Sequence, residues 1–228
     1  VQVDPDRAAV DRVMSLLEVP GAVDIVPFLG GRVLLAGFRM TATSEFVGLT
    51  LAHIRLLFPA SAALVAAIQR RDEWIIPHGE EEIRAGDLVY FAVVRGELDN
   101  VLSLIDATAE RRQRVMIAGA TRIGLELARR LEKTTAQVVL VEESRELAHR
   151  AEEMLDGTLV ICGPVTEREV LEEEDIGRVS TFVAVTADHE VNLVSGLLAK
   201  RLGARRAFAM VDNPALANLI GEIGIDAV

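Results

Sequence analysis

The 228 residues include 24 Lys and Arg against 35 Asp and Glu, a formal charge of −11, with half of the chain apolar and 4% aromatic. Phosphate-backbone binding needs clustered Lys and Arg that release counterions, so this balance speaks against a nucleic-acid partner and against direct attraction to anionic lipid. Cys162 is the one cysteine, which excludes an intrachain disulfide and a zinc site built on paired thiolates.

Apolar positions Val10, Val13, Met14 and Leu17, ending at Pro20 and Gly21, predict an amphipathic helix over the first twenty residues. Residues 23–28, 32–38, 62–69 and 88–94 read as strands, 49–57 and 98–105 as helices, and 70–73 and 77–80 as turns. Together they predict a small α+β domain over 23–107, preceded by a helix within 1–22. The stretch 46–68 is apolar and long enough to cross a bilayer, but His53 and Arg55 are costly at that depth, and Pro59 with Ser61 breaks it into a helix and a strand. No direct membrane insertion is expected.

Residues 108–114 are polar, lack apolar periodicity and read as a linker. Beyond it strands at 114–118, 138–141, 159–162, 181–185 and 207–211 alternate with helices at 124–131, 145–155, 168–173, 191–202 and 214–221. The fold class expected for 113–228 is α/β, a Rossmann-like doubly wound parallel sheet. Ligands on such sheets sit beyond the carboxyl ends of the strands, which directs attention to the loops 119–123, 142–144, 163–166 and 186–192.

The most informative segment runs from Val115 to Glu142: strand, glycine turn, helix, and a second strand ending on an acid. Gly119 allows a tight turn and Gly124 close helix-to-strand packing, so that N–H groups opening the helix from Ile123 can face a pyrophosphate. Glu142 suits the two hydroxyls of an adenosine ribose and would repel a 2′-phosphate, which favours NAD over NADP. Thr121 stands where the fingerprint has its middle glycine, the residue whose missing side chain lets phosphate approach the backbone. A turn kept for packing alone is the alternative.

Other candidates carry less. Consecutive acids at 172–175 and at 80–82 point in different directions from their elements and read as solvated charge rather than a cation site. His53, His78 and His149 show no metal or catalytic spacing; His189, beside Asp188 and Glu190, reads as a general acid or as part of a helix N-terminus, the latter preferred. Neither a catalytic nor a metal residue is assigned.

The segment from Val115 to Gly124, then Glu142, 158–163, 183–192 and 198–203, resembles the TrkA family of bacterial Trk potassium uptake systems, which carries RCK/KTN-type domains. Pro20-Gly-Ala, 65–70 and 85–89 are similar to the family's carboxyl-terminal regulatory domain. In that family two halves, each a nucleotide domain followed by a regulatory domain, lie in tandem. This chain fits the last helix of a first nucleotide domain, the regulatory domain after it, and most of a second nucleotide domain. The missing initiator Met, and an end at Asp226-Ala227-Val228 where a strand begins, agree with an excised piece, and no signal peptide opens the chain. The resemblance implies no catalysis, NAD or NADH as ligand with ATP or ADP as alternatives, a homo-oligomeric ring, and a potassium-translocating membrane subunit as partner. It also implies a cytoplasmic location, on the inner face of the membrane through that partner. It carries over Gly119, Ala120, Thr121, Arg122, Ile123 and Gly124 as phosphate loop, Glu142 as ribose acid, and Gly163, Pro164, Thr186 and Ala187 as loops beside the ligand. Pro164 replaces the family's usual aspartate and lacks an N–H. With Thr121, that departure leaves a degenerate, unliganded site as one alternative and a dehydrogenase fragment, with His189 as proton donor, as another.

Overall fold

The computed structural model describes residues 4–19, 21–57, 63–71, 73–98, 102, 113–134, 136–211 and 225–227. The chain divides into two compact units, Ser15–Ala109 and Val1–Met14 with Glu110–Val228. The helix α1, Pro5–Glu18, therefore contributes its first ten residues to the larger unit and its last four to the smaller.

The smaller unit is an antiparallel sheet of β1 (Ala22–Phe28), β2 (Val33–Arg39), β3 (Ala63–Arg70), β4 (Glu73–Ile75) and β5 (Leu88–Val94), in the order β1-β2-β5-β3-β4, with α2 at Leu51–Leu57. Alternation sends Leu34, Ala36 and Phe38 from β2 and Val89, Phe91 and Val93 from β5 into one core, where Phe91 meets Phe38 edge-on at 6.0 Å. The short strand β4 lies between the turns expected at 70–73 and 77–80, overlapping the first at Glu73, where no strand is expected. Three residues are too few to show alternation, and β4 is defined by its pairing with Ile68–Arg70 and by Trp74 packing on Tyr90 at 5.3 Å.

At the end of β3 a buried charge cluster ties this sheet together. Arg70 donates from Nε and Nη2 to the two oxygens of Asp87, both at 2.9 Å, and from Nη1 to Glu81 at 3.0 Å. Asp87 is 1% exposed and also accepts the Arg84 N–H. Burial pushes its carboxyl up, but the hydrogen bonds from Arg70 and Arg84 outweigh that and hold it below the usual carboxylate range. The hydrogen bonds that Asp87 accepts from Arg70 raise Arg70 above its ordinary value, so both groups stay charged.

The larger unit is Rossmann-like. Six parallel strands, β6 (Arg114–Ala118), β7 (Gln137–Glu142), β8 (Leu159–Cys162), β9 (Thr181–Ala184), β10 (Arg206–Ala209) and β11 (Asp226–Ala227), lie in the order β11-β10-β9-β6-β7-β8. Helices α3 (Arg122–Leu131), α4 (Arg145–Met154), α5 (Arg168–Glu173) and α6 (His189–Arg201) alternate with them. Val115, Met116, Ile117 and Ala118 are all fully buried, as expected of a strand covered on both faces. Chain order runs outward from β6 through β7 to β8, then crosses to β9 on its other side. The reversal places the loops after β6 and β9 side by side at the carboxyl edge.

Most of the helix expected at 98–105, and all of that expected at 214–221, lie outside the described residues. The apolar stretch 46–68 contains α2 and the start of β3, and among the described residues no helix is long and apolar enough to cross a membrane.

Candidate functional site

The strand-to-helix turn is as tight as its glycines require. Gly119 has φ +105°, and a Cβ there would lie 2.8 Å from Thr186 Cα; at Gly124 a Cβ would lie 2.0 Å from the Gly119 carbonyl oxygen. The crossing of α3 over the end of β6 thus depends on both positions lacking a side chain. The Gly119 N–H donates to Val141 O, which binds the loop to β7 as well.

Thr121 sits differently from a fingerprint glycine. Its backbone is extended, φ −70° and ψ 172°, which any residue adopts, and its side chain is the N-cap of α3. Oγ1 accepts the Gly124 N–H at 3.2 Å and donates to Val185 O at 2.8 Å. The helix therefore begins at Arg122 rather than Ile123 or Gly124, and Thr121 engages one of its first-turn donors.

Glu142, at the end of β7, turns toward this loop. One carboxylate oxygen accepts the Ala120 N–H at 2.7 Å and the other the Ser144 N–H at 2.9 Å, so the side chain bridges the glycine turn and the entry to α4. An ionised carboxylate offers about four acceptor positions. Two hydrogen bonds leave capacity for two hydroxyl donors. Cys162 pairs in register with Glu142 at the end of β8, and beside them Arg145, Ala148, His149 and Glu152 of α4 line a cleft of about 630 Å³ with Cys162. That volume falls within the roughly 300–1,000 Å³ of small-molecule sites. Arg145 and His149 were given no role by the sequence; Arg145 comes to this place because α4 starts three residues after the acid.

Gly163 continues the ladder one residue past β8, its N–H donating to Glu142 O at 2.9 Å. Pro164 follows, half-buried, its carbonyl accepting the Glu167 N–H. Across the reversal, Thr186 is locked by a residue the sequence did not single out. Asn192 is fully buried; its Oδ1 accepts the Thr186 N–H at 2.8 Å, and its Nδ2 donates to Thr186 O and to Met210 O. Asn192 thus fixes the loop after β9 to the end of β10, leaving Ala187 exposed at the tip.

His189 is the first residue of α6, whose N-cap is Asp188, accepting from the N–H groups of Glu190 and Val191. Its Nδ1 lies 3.1 Å from Met210 O, which makes that nitrogen the donor. The helix-terminus reading of these acids is the one the geometry carries. The acids at 172–175 are spread over the end of α5 and the turn after it, where Glu174 and Asp175 face Arg114. Among the described residues no group of three or more His, Cys, Asp or Glu could hold a metal ion.

Comparison with known proteins gives the family and the fold. A TrkA-N domain model matches residues 115–228 and a TrkA-C domain model residues 35–106. The Trk system potassium uptake protein TrkA of Halomonas elongata is 37% identical over 227 residues, covering 99% of this chain and 50% of that protein. The chain thus spans about half the length of the curated relatives it matches. Among solved structures, the GsuK RCK domain covers the whole chain with a TM-score of 0.64 at 20% identity, over 48% of its own length. The GsuK channel bound to NAD covers it with a TM-score of 0.63 at 19% identity, over 40% of its own. Those two likenesses speak for the fold. These relatives are named as potassium uptake proteins and RCK domains rather than as dehydrogenases.

Proposed function

The chain belongs to the TrkA-N domain family, with a TrkA-C domain ahead of it, and from that premise we propose that it is a nucleotide-sensing part of a regulatory subunit of a potassium uptake system. It works by binding rather than turnover. A dinucleotide lies across the carboxyl edge, with its pyrophosphate at the first turn of α3 and its adenosine ribose hydroxyls donating to Glu142. Its adenine occupies the cleft beside Cys162 and Arg145. The phosphate loop is Gly119 to Gly124, and Gly163, Pro164, Thr186 and Ala187 border the ligand.

The observation that carries this reading is Glu142, whose carboxylate is held by the Ala120 and Ser144 N–H groups at the mouth of the glycine turn. An acid so placed favours a ribose with two free hydroxyls and opposes a 2′-phosphate, so NAD or NADH is preferred to NADP, with ATP or ADP as alternatives. The NAD carried by the GsuK channel, a protein of the same fold, also supports it.

Regulation follows as coupling. A nucleotide shifts the transporter only as far as it binds two conformations of the regulatory assembly unequally. The assembly is a symmetric ring of such subunits on the cytoplasmic face, docked on the potassium-translocating membrane subunit, and the ion filter lies in that partner. Calorimetric titration of the chain with NAD, NADH, ATP, ADP and NADPH tests the reading. Saturable binding of at least one of the first four, with NADPH weaker than NADH, is expected. Failure of all five would reduce the domain to an architectural part.

A further inference from the structure

The first half of α1 lies along α3, and its first turn lies beside the first turn of α3. Asp4 precedes α1, its Oδ1 accepting the Asp6 N–H at 3.1 Å. Asp6 Oδ2 then lies 3.4 Å from Arg122 Nε, and, more than a turn further along both helices, Asp11 pairs with Arg130. Arg130 is held from a second side by Glu126 at 2.8 Å. Between the helices runs a groove of about 530 Å³ floored by Val10, Leu125 and Met154.

The two ion pairs differ in what they secure. Arg130 is 29% exposed and gripped by two carboxylates, so it anchors α1. Arg122 is 81% exposed and held through Nε by Asp6 at the very residue that opens the helix behind the phosphate loop. It is also the one basic side chain between Gly119 and Ala128. A guanidinium is always charged and pairs with phosphate through a planar fork, so phosphates arriving at this turn draw on Arg122 before any other side chain. Asp6 lies against the same guanidinium at Nε and adds a negative charge beside it.

We propose that Asp6 is a latch on the phosphate loop: it keeps Arg122 on α1, and nucleotide phosphates must take the guanidinium away, so ligand binding and seating of the first turn of α1 oppose each other. This rests on the nucleotide-binding reading above. An exposed pair is weak, so a ligand can break it, while Asp11 and Arg130 confine the release to the first turn. By linkage, whatever affinity the latch withholds from the nucleotide, the nucleotide withholds from the latch.

The test is a double-mutant cycle read by NADH titration on the chain as it stands: wild type, Asp6→Asn, Arg122→Ala and both together. Asp6→Asn should tighten NADH by about two- to fivefold, the scale of an exposed ion pair. Arg122→Ala should weaken it, and adding Asp6→Asn to Arg122→Ala should then have no effect. Hydrogen exchange of the amides of 6–11 should speed up when NADH is added to wild type. An unchanged or weaker affinity in Asp6→Asn would overturn the latch while leaving the site, because Asp6 would then be positioning Arg122 or doing nothing. An equal gain in the Arg122→Ala background would overturn it too, reducing Asp6 to a distant repulsive charge. Absence of binding of NADH, and of NAD, ATP and ADP titrated in its place, in all four proteins would overturn the latch together with the nucleotide reading.

Discussion

Replacing Thr121 separates the two roles its hydroxyl combines. In Thr121→Ala the N-cap acceptor for the Gly124 N–H disappears, a loss of about 1 kcal/mol for a threonine cap. The donor to Val185 O disappears with it, about 1 kcal/mol more for a neutral hydrogen bond. The larger unit should therefore unfold about 2 kcal/mol more easily. Binding should move the other way. The Gly124 N–H, released from Oγ1, becomes a donor to a charged phosphate, worth roughly 1.5 kcal/mol, which is about tenfold in affinity. Thr121→Ser keeps the hydroxyl and should match wild type in both respects, and Thr121→Gly should bind as Thr121→Ala does while losing further stability through chain entropy. Urea unfolding and NADH titration on the four proteins read the two effects separately. If Thr121→Ala loses stability without gaining affinity, the capped N–H does not face the phosphate and the explanation of Thr121 as a brake on binding is wrong.

Gly124→Ala should be far more damaging than a usual glycine-to-alanine change in a helix, since its Cβ would stand 2.0 Å from Gly119 O, and α3 must move off β6. A loss of about 3 kcal/mol and of NADH binding is expected by urea unfolding and titration; stability within about 0.5 kcal/mol of wild type would contradict the packing argument. Asp87→Asn leaves Arg70 short of its carboxylate partner and should cost the smaller unit about 2–3 kcal/mol, below the range for fully buried pairs because Arg70 is 21% exposed. Asp87 titrates below its unfolded value, so its contribution is complete above about pH 4 and lost as pH falls through the folded value. The stability gap between wild type and Asp87→Asn should accordingly narrow below about pH 4, and a gap that widens there would refute the assignment.

The sheet of the larger unit was legible because parallel strands buried on both faces leave unbroken apolar runs, as at Val115–Ala118, with a helix period between them. The glycines at 119 and 124 were legible for the same kind of reason: each forbids a Cβ by backbone contact, a constraint that acts within a few residues. Thr121 shows the limit. Its type announced a departure from the fingerprint, and its capping of the Gly124 N–H is local, but its donation to Val185 O joins residues 64 apart in the chain. Asn192 was invisible for a related reason: an asparagine in a helix looks ordinary until β9 and β10 deliver Thr186 and Met210 to its amide. The strand β4 received no strand reading, lying between the turns at 70–73 and 77–80 and overlapping the first at Glu73, because its three residues carry no period and are defined by their partner β3.

The measurement that bears most directly on the account is NADH and NADPH affinity in wild type and Glu142→Ala. Removing a carboxylate that accepts two ribose hydroxyls should weaken NADH at least about tenfold and erase its advantage over NADPH. Equal NADH affinity in the two proteins, with folding intact, would contradict the claim that the acid at the end of β7 reads the adenosine ribose.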